Sequence, residues 1–298
     1  DPTVVQALAA FRSGPTPLPN NGAAPGSINY VQNNFLVTQG TEIRPNTKIS
    51  VQGDHSFSER SRISLIANIV SRPDAEDPLG LTPAQFEADP DQTAAAAITF
   101  NTRKSLEQQQ GGLIYDFDIS DSQSVRLLGY SGHRDVVQYL SIPAASQTPL
   151  TSAGGVIDLD RKFGGGDAPW SWKGDFIGRP LSWVGGMSYD RQNELRRGYN
   201  NFVGTTLVVK GTLRRDENNI SYNIDGYTQG TWDFADAWSA TLGVRRSEVH
   251  FDSEDHFIVG PNGDDSGSVK YDATSPVAGL VFKARPWLHL YTSYGQVF

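Results

Sequence analysis

Residues 47–69 read TKISVQGDHSFSERSRISLIANI, and their alternation decides the fold. Ile49, Val51, His55 and Phe57 fall on one face of an extended chain, with Lys48, Ser50, Gln52, Asp54 and Ser56 on the other. After a turn near Ser58-Glu59-Arg60, Ile63, Leu65, Ala67 and Ile69 again share one face. Side chains of a strand point alternately to its two sides, so a period of two with one apolar face predicts a β-hairpin with two different surroundings.

Four more hairpins repeat the pattern. Leu113, Tyr115, Phe117 and Ile119 oppose Asp116 and Asp118 before a turn at Ser120-Asp121-Ser122. Trp170, Trp172, Gly174 and Phe176 lead to a turn read at Arg179-Pro180, and Trp183, Met187 and Tyr189 return. The fourth turn spans Asp233–Asp236 and returns as Trp238, Ala240, Leu242 and Val244, opposite Ser239, Thr241 and Arg245. The fifth lies at Arg285-Pro286, followed by Leu288, Leu290 and Tyr294. Between them run long connections rich in Gly, Asn, Asp and Pro, read at about 72–108, 140–168, 192–219 and 252–267. Short turns on one side and long loops on the other are the organisation of an outer-membrane barrel, whereas soluble sandwiches turn about every 8–12 residues.

The aromatics give a second cue. Phe57, Phe117, Phe176, Trp183, Phe234, Trp238, Phe282 and Trp287 all lie within a few residues of a short turn. Amphipathic rings collect where lipid tails meet head groups, so such a set reads as one girdle of a barrel. Trp170 and Trp172 are candidates for the opposite, upper girdle. No stretch approaches the ~18 apolar residues of a membrane helix, which leaves a barrel untouched because alternation averages its hydropathy.

Composition narrows the function. The net charge of −8 lacks the basic face that nucleic acid requires, and the absence of cysteine removes a disulfide scaffold. Ten strands are expected after residue 46, with one further candidate at Asn29–Thr38 inside an otherwise indistinct segment 1–45. Ten strands alone would close into a narrow barrel filled by side chains, which poorly suits four long loops; a portion of a wider barrel is the expectation.

Collinear stretches then become familiar. They are Asp77-Pro78-Leu79-Gly80-Leu81-Thr82, Asn101-Thr102-Arg103-Lys104 with Gln108–Gln110, and Gly154-Gly155-Val156-Ile157-Asp158-Leu159-Asp160-Arg161. Leu213-Arg214-Arg215-Asp216-Glu217, Asn262–Gly267 and Leu290-Tyr291-Thr292-Ser293-Tyr294-Gly295 follow, and Trp238 to Arg245 matches a W-x-x-x-x-G-x-R strand opening. In these the chain resembles the TonB-dependent outer-membrane receptors, in particular the ferric siderophore branch, over residues 45–298. One departure is Val297, where the family usually has a second Gly before Phe298.

The resemblance implies an all-β, transmembrane antiparallel barrel of 22 strands, of which residues 46–298 supply about ten to eleven. It implies a plug domain outside this chain, through which TonB delivers energy, and a location in the bacterial outer membrane in contact with its lipid. The implied activity is import of a ferric siderophore or similar metal chelate, with no covalent chemistry and no resident cofactor. Rival ligands are a copper chelate, haem or cobalamin. Outside that class stand a soluble extracellular adhesin or carbohydrate-binding module, and a passive porin.

An anionic, bulky chelate favours Arg with aromatic surfaces. Arg134 and Tyr139, read as lying above the second returning strand, and Arg196, Arg197 and Tyr199, read at the start of the third long loop, are therefore the candidate ligand-binding residues. Catalytic patterns are weak. Gly263–Gly267 is a polar turn without His and Asp partners in a recognisable order. Gly129-Tyr130-Ser131-Gly132 sits in a strand and lacks the spacing of a nucleophile elbow. Gly164-Gly165-Gly166 has no following Lys-Ser/Thr and reads as a flexible loop. Asp252, Glu254, Asp255 and His256 match no calcium-loop spacing and read as an acidic loop, so no metal ligand is assigned.

Overall fold

A computed structural model describes residues 47–296. The long strands are β1 (Thr47–Ser58), β2 (Ser61–Glu76), β3 (Arg103–Ser120), β4 (Gln123–Tyr139), β5 (Val156–Phe176) and β6 (Arg179–Tyr199), continued by β9 (Leu213–Ala235), β10 (Trp238–Asp255), β11 (Gly267–Arg285) and β12 (Leu288–Gly295). They form one ten-stranded antiparallel sheet in chain order, with β1 and β12 at its two edges. A miniature hairpin of β7 (Phe202–Val203) and β8 (Thr206–Leu207) stands between β6 and β9. Two short helices, α1 (Pro83–Ala88) and α2 (Ala95–Phe100), sit in the β2–β3 connection. The candidate strand at Asn29–Thr38 lies outside the described residues.

The five short turns appear near where alternation put them, but three are displaced: the fourth is Asp236-Ala237, since Asp233–Ala235 still belong to β9, and the fifth is Pro286-Trp287, since Arg285 ends β11. The third turn is Ile177-Gly178 and not Arg179-Pro180, which open β6. Ile177 (φ 54°) and Gly178 (φ 69°) are both left-handed, the twist that a two-residue hairpin needs. Proline is tolerated at Pro180 because it stands at the beginning of a strand.

The long connections are shorter than the sequence suggested: 77–102, 140–155, 200–212 and 256–266. The strands run further up because polar residues on both faces hide their alternation. Gly164-Gly165-Gly166 is accordingly no loop; it lies within β5, paired to Ser131, Tyr130 and Gly129 of β4 and to Arg191, Asp190 and Tyr189 of β6.

Register sorts the sheet into two faces. Gly53, Leu65, Leu113, Gly129, Gly166, Tyr189 and Ile224 stand opposite one another in one row, with Ile49, Val51, Ile63, Ile69, Phe117, Leu127, Met187, Leu242, Val244 and Leu290 on the same side. Leu65, Met187 and Leu242 are 55%, 65% and 67% exposed, so this face has no protein core against it. Ser50, Asp116, Asp118, Ser239 and Thr241 occupy the other face.

The apolar side is bounded. Near the short turns, Phe176 and Trp232 are 5.4 Å apart, Trp238 and Phe282 4.5 Å, and Trp170 and Trp183 5.0 Å, with Phe234 between Trp232 and Trp238. Trp170 and Trp172 thus join the lower girdle and not the upper one, since both lie close to the Ile177-Gly178 turn. At the other limit Tyr189 and Tyr222 lie 6.2 Å apart, and Tyr222 stacks on His250 at 4.4 Å. From Trp232 to Tyr222, ten residues of β9 span ~34 Å, or roughly 25 Å across a bilayer at barrel tilt, which matches the apolar band of such barrels. Beyond it the same face carries Lys162, Asp160, Arg246, Glu248, Lys270 and Asp272.

Candidate functional site

The polar face holds a cleft of about 450 Å³. Gln110 from β3, Tyr130 and Arg134 from β4, Arg161 and Phe163 from β5, and Asp190 and Gln192 from β6 line it, with Ser221, Asn223, Val249 and Phe251 beyond. Alternate residues of neighbouring strands reach it because the sheet has no slip from β4 to β6 at this height: Arg134 faces Arg161, which faces Glu194. At the same level the opposite face carries Ser131, His133, Lys162 and Asn193. The cleft therefore sits above the apolar band, on the long-loop side.

Its charges are arranged unequally. Arg161 is clamped to Glu194, which is 7% exposed, through both Nε and Nη2, and its charge is locally balanced. Tyr130 donates its hydroxyl to Asp190, which also receives Asn223 Nδ2 at 3.4 Å. Arg134 differs. Its Nε donates to Gln108 Oε1 at 2.6 Å, and its two terminal nitrogens make no hydrogen bond among the described residues. A neutral amide thus fixes the guanidinium while leaving its charge uncompensated beside the Tyr130 and Phe163 rings, which lie 6.5 Å apart. Such a cleft suits a flat or bulky anion. Below it a second hollow of about 360 Å³, lined by Ile66, Leu128 and Ile114, shares Tyr130 and Phe163 with the first.

The five residues singled out from sequence separate. Arg134 and Arg196 project to the cleft side, Arg196 standing between Leu159 and Glu217 in register. Tyr139, Arg197 and Tyr199 project to the opposite side. Arg196, Arg197 and Tyr199 belong to the upper end of β6 and not to a loop. Arg103 lies 3.9 Å above the Tyr139 ring, Arg197 Nε donates to Asp216 at 3.2 Å, and Lys210 Nζ lies 4.1 Å above Tyr199. Burial works against the Lys210 charge, but the Asp158 carboxylate at 2.5 Å and the Tyr199 ring outweigh it and raise its pKa. Nothing in the sequence marked Tyr130, Arg161, Phe163 and Asp190 as binding residues, since only register brings them together.

Among the described residues, one cluster has the donor types of a metal site. His133, Asp135 and Asp160 hold donor atoms within 4.8 Å of one another on the face away from the cleft. His133 Nε2 already lies 2.8 Å from Asp160 Oδ1, an ordinary imidazole–carboxylate hydrogen bond that accounts for the grouping. Of the residues read as an acidic loop, Asp252, Glu254 and Asp255 instead end β10 and only His256 begins a loop; Asp255 is 6% exposed and accepts the backbone amides of Phe257 at 2.8 Å and Asp265 at 3.3 Å, so it holds the adjoining loop in shape.

The family of TonB dependent receptor-like β-barrels matches residues 19–298. The chain belongs to that family. Its members are transporters of the bacterial outer membrane and not enzymes. Among solved structures it is similar to the ferric citrate transporter FecA in the unliganded form, at 15% identity and a TM-score of 0.69, over 83% of this chain and 35% of that one. The siderophore receptor PiuA from Acinetobacter baumannii matches at 13% identity and a TM-score of 0.63, over 84% and 41%. The copper transporter OprC matches at 16% identity and a TM-score of 0.56, over 84% and 37%. The chain thus spans less than half the length of these proteins, and at such identities the likeness establishes a shared barrel fold.

Proposed function

We propose that this chain forms part of the wall of an outer-membrane receptor that binds a ferric siderophore at its outer mouth and imports it with energy from TonB. The observation that carries this reading is the uncompensated Arg134 guanidinium in an aromatic cleft above the apolar band. Ferric chelates with carboxylate or catecholate donors are commonly anionic and hide the metal inside an organic shell. A fixed cation flanked by ring faces recognises that shell and does not need to reach the iron. Arg134 and Arg196 are the proposed ligand contacts, while Tyr139, Arg197 and Tyr199 support the rim from the other side.

A copper ligand fits this cleft less well. Soft copper sites draw on Cys, Met and His, yet the chain has no Cys, its one methionine (Met187) is on the lipid-side face, and no His lines the cleft.

The test uses the full-length receptor in cells with and without TonB, supplied with radioactive iron as ferric citrate or as a ferric tris-catecholate. TonB-dependent uptake of one of these is expected. Arg134→Ala should weaken its binding by about 1.5–3 kcal/mol, the contribution of a hydrogen bond to a charged group. Uptake of neither chelate, with binding of a copper complex instead, would overturn the reading.

A further inference from the structure

Loops 140–155 and 200–212 crown the strands that line the cleft, and their meeting point is a buried amide pair. Gln147 is 0% and Asn201 1% exposed. Gln147 Nε2 donates to Asn201 Oδ1 at 2.7 Å and to the Ile142 carbonyl at 2.7 Å, and its Oε1 accepts the Asn201 backbone amide at 3.2 Å. Asn201 Nδ2 donates to the carbonyls of Leu140 at 3.0 Å and Ile142 at 3.1 Å. Both carboxamides therefore use both donors and the oxygen, a complete inventory for two residues 54 apart in sequence.

The surroundings add contacts between each loop and the strand ends that flank the other. Gly155 N donates to the Tyr199 carbonyl at 2.8 Å, Arg214 Nε to Ser152 O at 3.3 Å and its Nη2 to Pro149 O, and Lys210 reaches Asp158. Loop 77–102 contrasts with them. Asp77 N donates to Thr102 O at 2.8 Å, Thr102 Oγ1 to Asp77 O at 2.5 Å and Ala94 N to Pro78 O at 3.3 Å, and Thr82 closes a capping box with Gln85. Among the described residues its hydrogen bonds stay within the segment or its own two strands.

We propose that loops 140–155 and 200–212 are one cooperative unit, locked by Gln147 and Asn201, that stands as a fixed wall over the cleft, and that loop 77–102 opens independently of it. A buried amide deprived of its partner costs more than the bond itself, because the remaining donors and acceptors stay dry and unpaired. Opening either loop therefore disables the lock in both. The wall's part in binding rests on the import reading, but its unity does not and is measured without ligand.

Hydrogen exchange of the full-length receptor in lipid bilayers tests this. In the unaltered protein, residues 140–155 and 200–212 should lose protection at one common urea midpoint, while 77–102 opens separately. Gln147→Ala and Asn201→Ala, each altering a single loop, should raise exchange in both loops by roughly tenfold or more and leave 77–102 unchanged. Separate midpoints in the unaltered protein would overturn the proposal even if neither variant folded. So would an Asn201→Ala effect confined to 200–212.

Discussion

Leu242 and Thr241 are adjacent in β10 and meet opposite surroundings. Leu242 is 67% exposed on the apolar face, between Gly230 and Ala278, whereas Thr241 Oγ1 lies 2.9 Å from Thr231 Oγ1 on the polar face. An Arg at a lipid-facing midplane site costs about 2–4 kcal/mol, and on a lumenal face it costs little. Leu242→Arg should therefore lower the urea midpoint of bilayer refolding far more than Thr241→Arg; equal midpoints would deny that β10 has a lipid face. A second residue carries the lumenal side. Asp225 is 2% exposed and accepts Arg245 Nη2 at 2.7 Å, Asn223 Nδ2 at 2.8 Å and Ser188 Oγ at 3.2 Å. Asp225→Ala removes the carboxylate from Arg245 and Ser188, leaves Asn223 only its longer bond to Asp190, and should cost roughly 1.5–3 kcal/mol in the same assay, with Asp225→Asn recovering part of the loss. Residues of this kind are poorly legible in sequence. Arg134 stood out as a cation on the loop side, but its pairing with Gln108 and its place beside Phe163 arise from register, as does the Gln147–Asn201 contact.

The strands themselves were legible where one face is apolar and obscure where both are polar. Trp238 to Val244 announces its faces, and the five short turns followed from such stretches. The upper half of β5 does not: Asp158, Asp160 and Lys162 face one side and Arg161 and Phe163 the other, and the three glycines that follow resemble a loop. The structure gives the reason for at least one of them. A Cβ on Gly165 would overlap Asp190 Oδ1 and meet the Tyr189 carbonyl oxygen at 2.5 Å, so the absent side chain lets β5 and β6 close beside the Tyr130–Asp190 hydrogen bond. Gly129, one strand away in register with Gly166, would meet nothing within 4 Å. Gly165→Ala should thus cost about 1–3 kcal/mol by overpacking and reduce the heat-modifiable folded fraction of the receptor on a gel, while Gly129→Ala should behave like the parent. The reverse order would remove close approach as the reason for glycine here.

Among the described residues, ten strands keep one alternation through the apolar band, with irregularities confined to the neighbourhood of the short turns and to the loop ends of β2 and β6. That continuity lets one wall turn Leu65, Leu113, Leu242 and Leu290 to its apolar side and Arg134, Tyr130 and Phe163 to the cleft, where the proposed ligand would meet them. The fold class was readable because the lipid demands a periodic signal; the cleft was not, because recognition needs only a few side chains gathered from distant segments. The most direct test places single spin labels at positions 65, 113, 117, 242 and 290 and at 50, 116, 118, 239 and 241 of the full-length receptor in liposomes. Collision with oxygen, which concentrates in the lipid, should dominate at the first five, and collision with a water-soluble nickel chelate at the second five. Labels on the same face of one strand that respond to different relaxants, or neighbours of opposite parity that respond alike, would contradict the two-faced wall on which the binding and import reading depends.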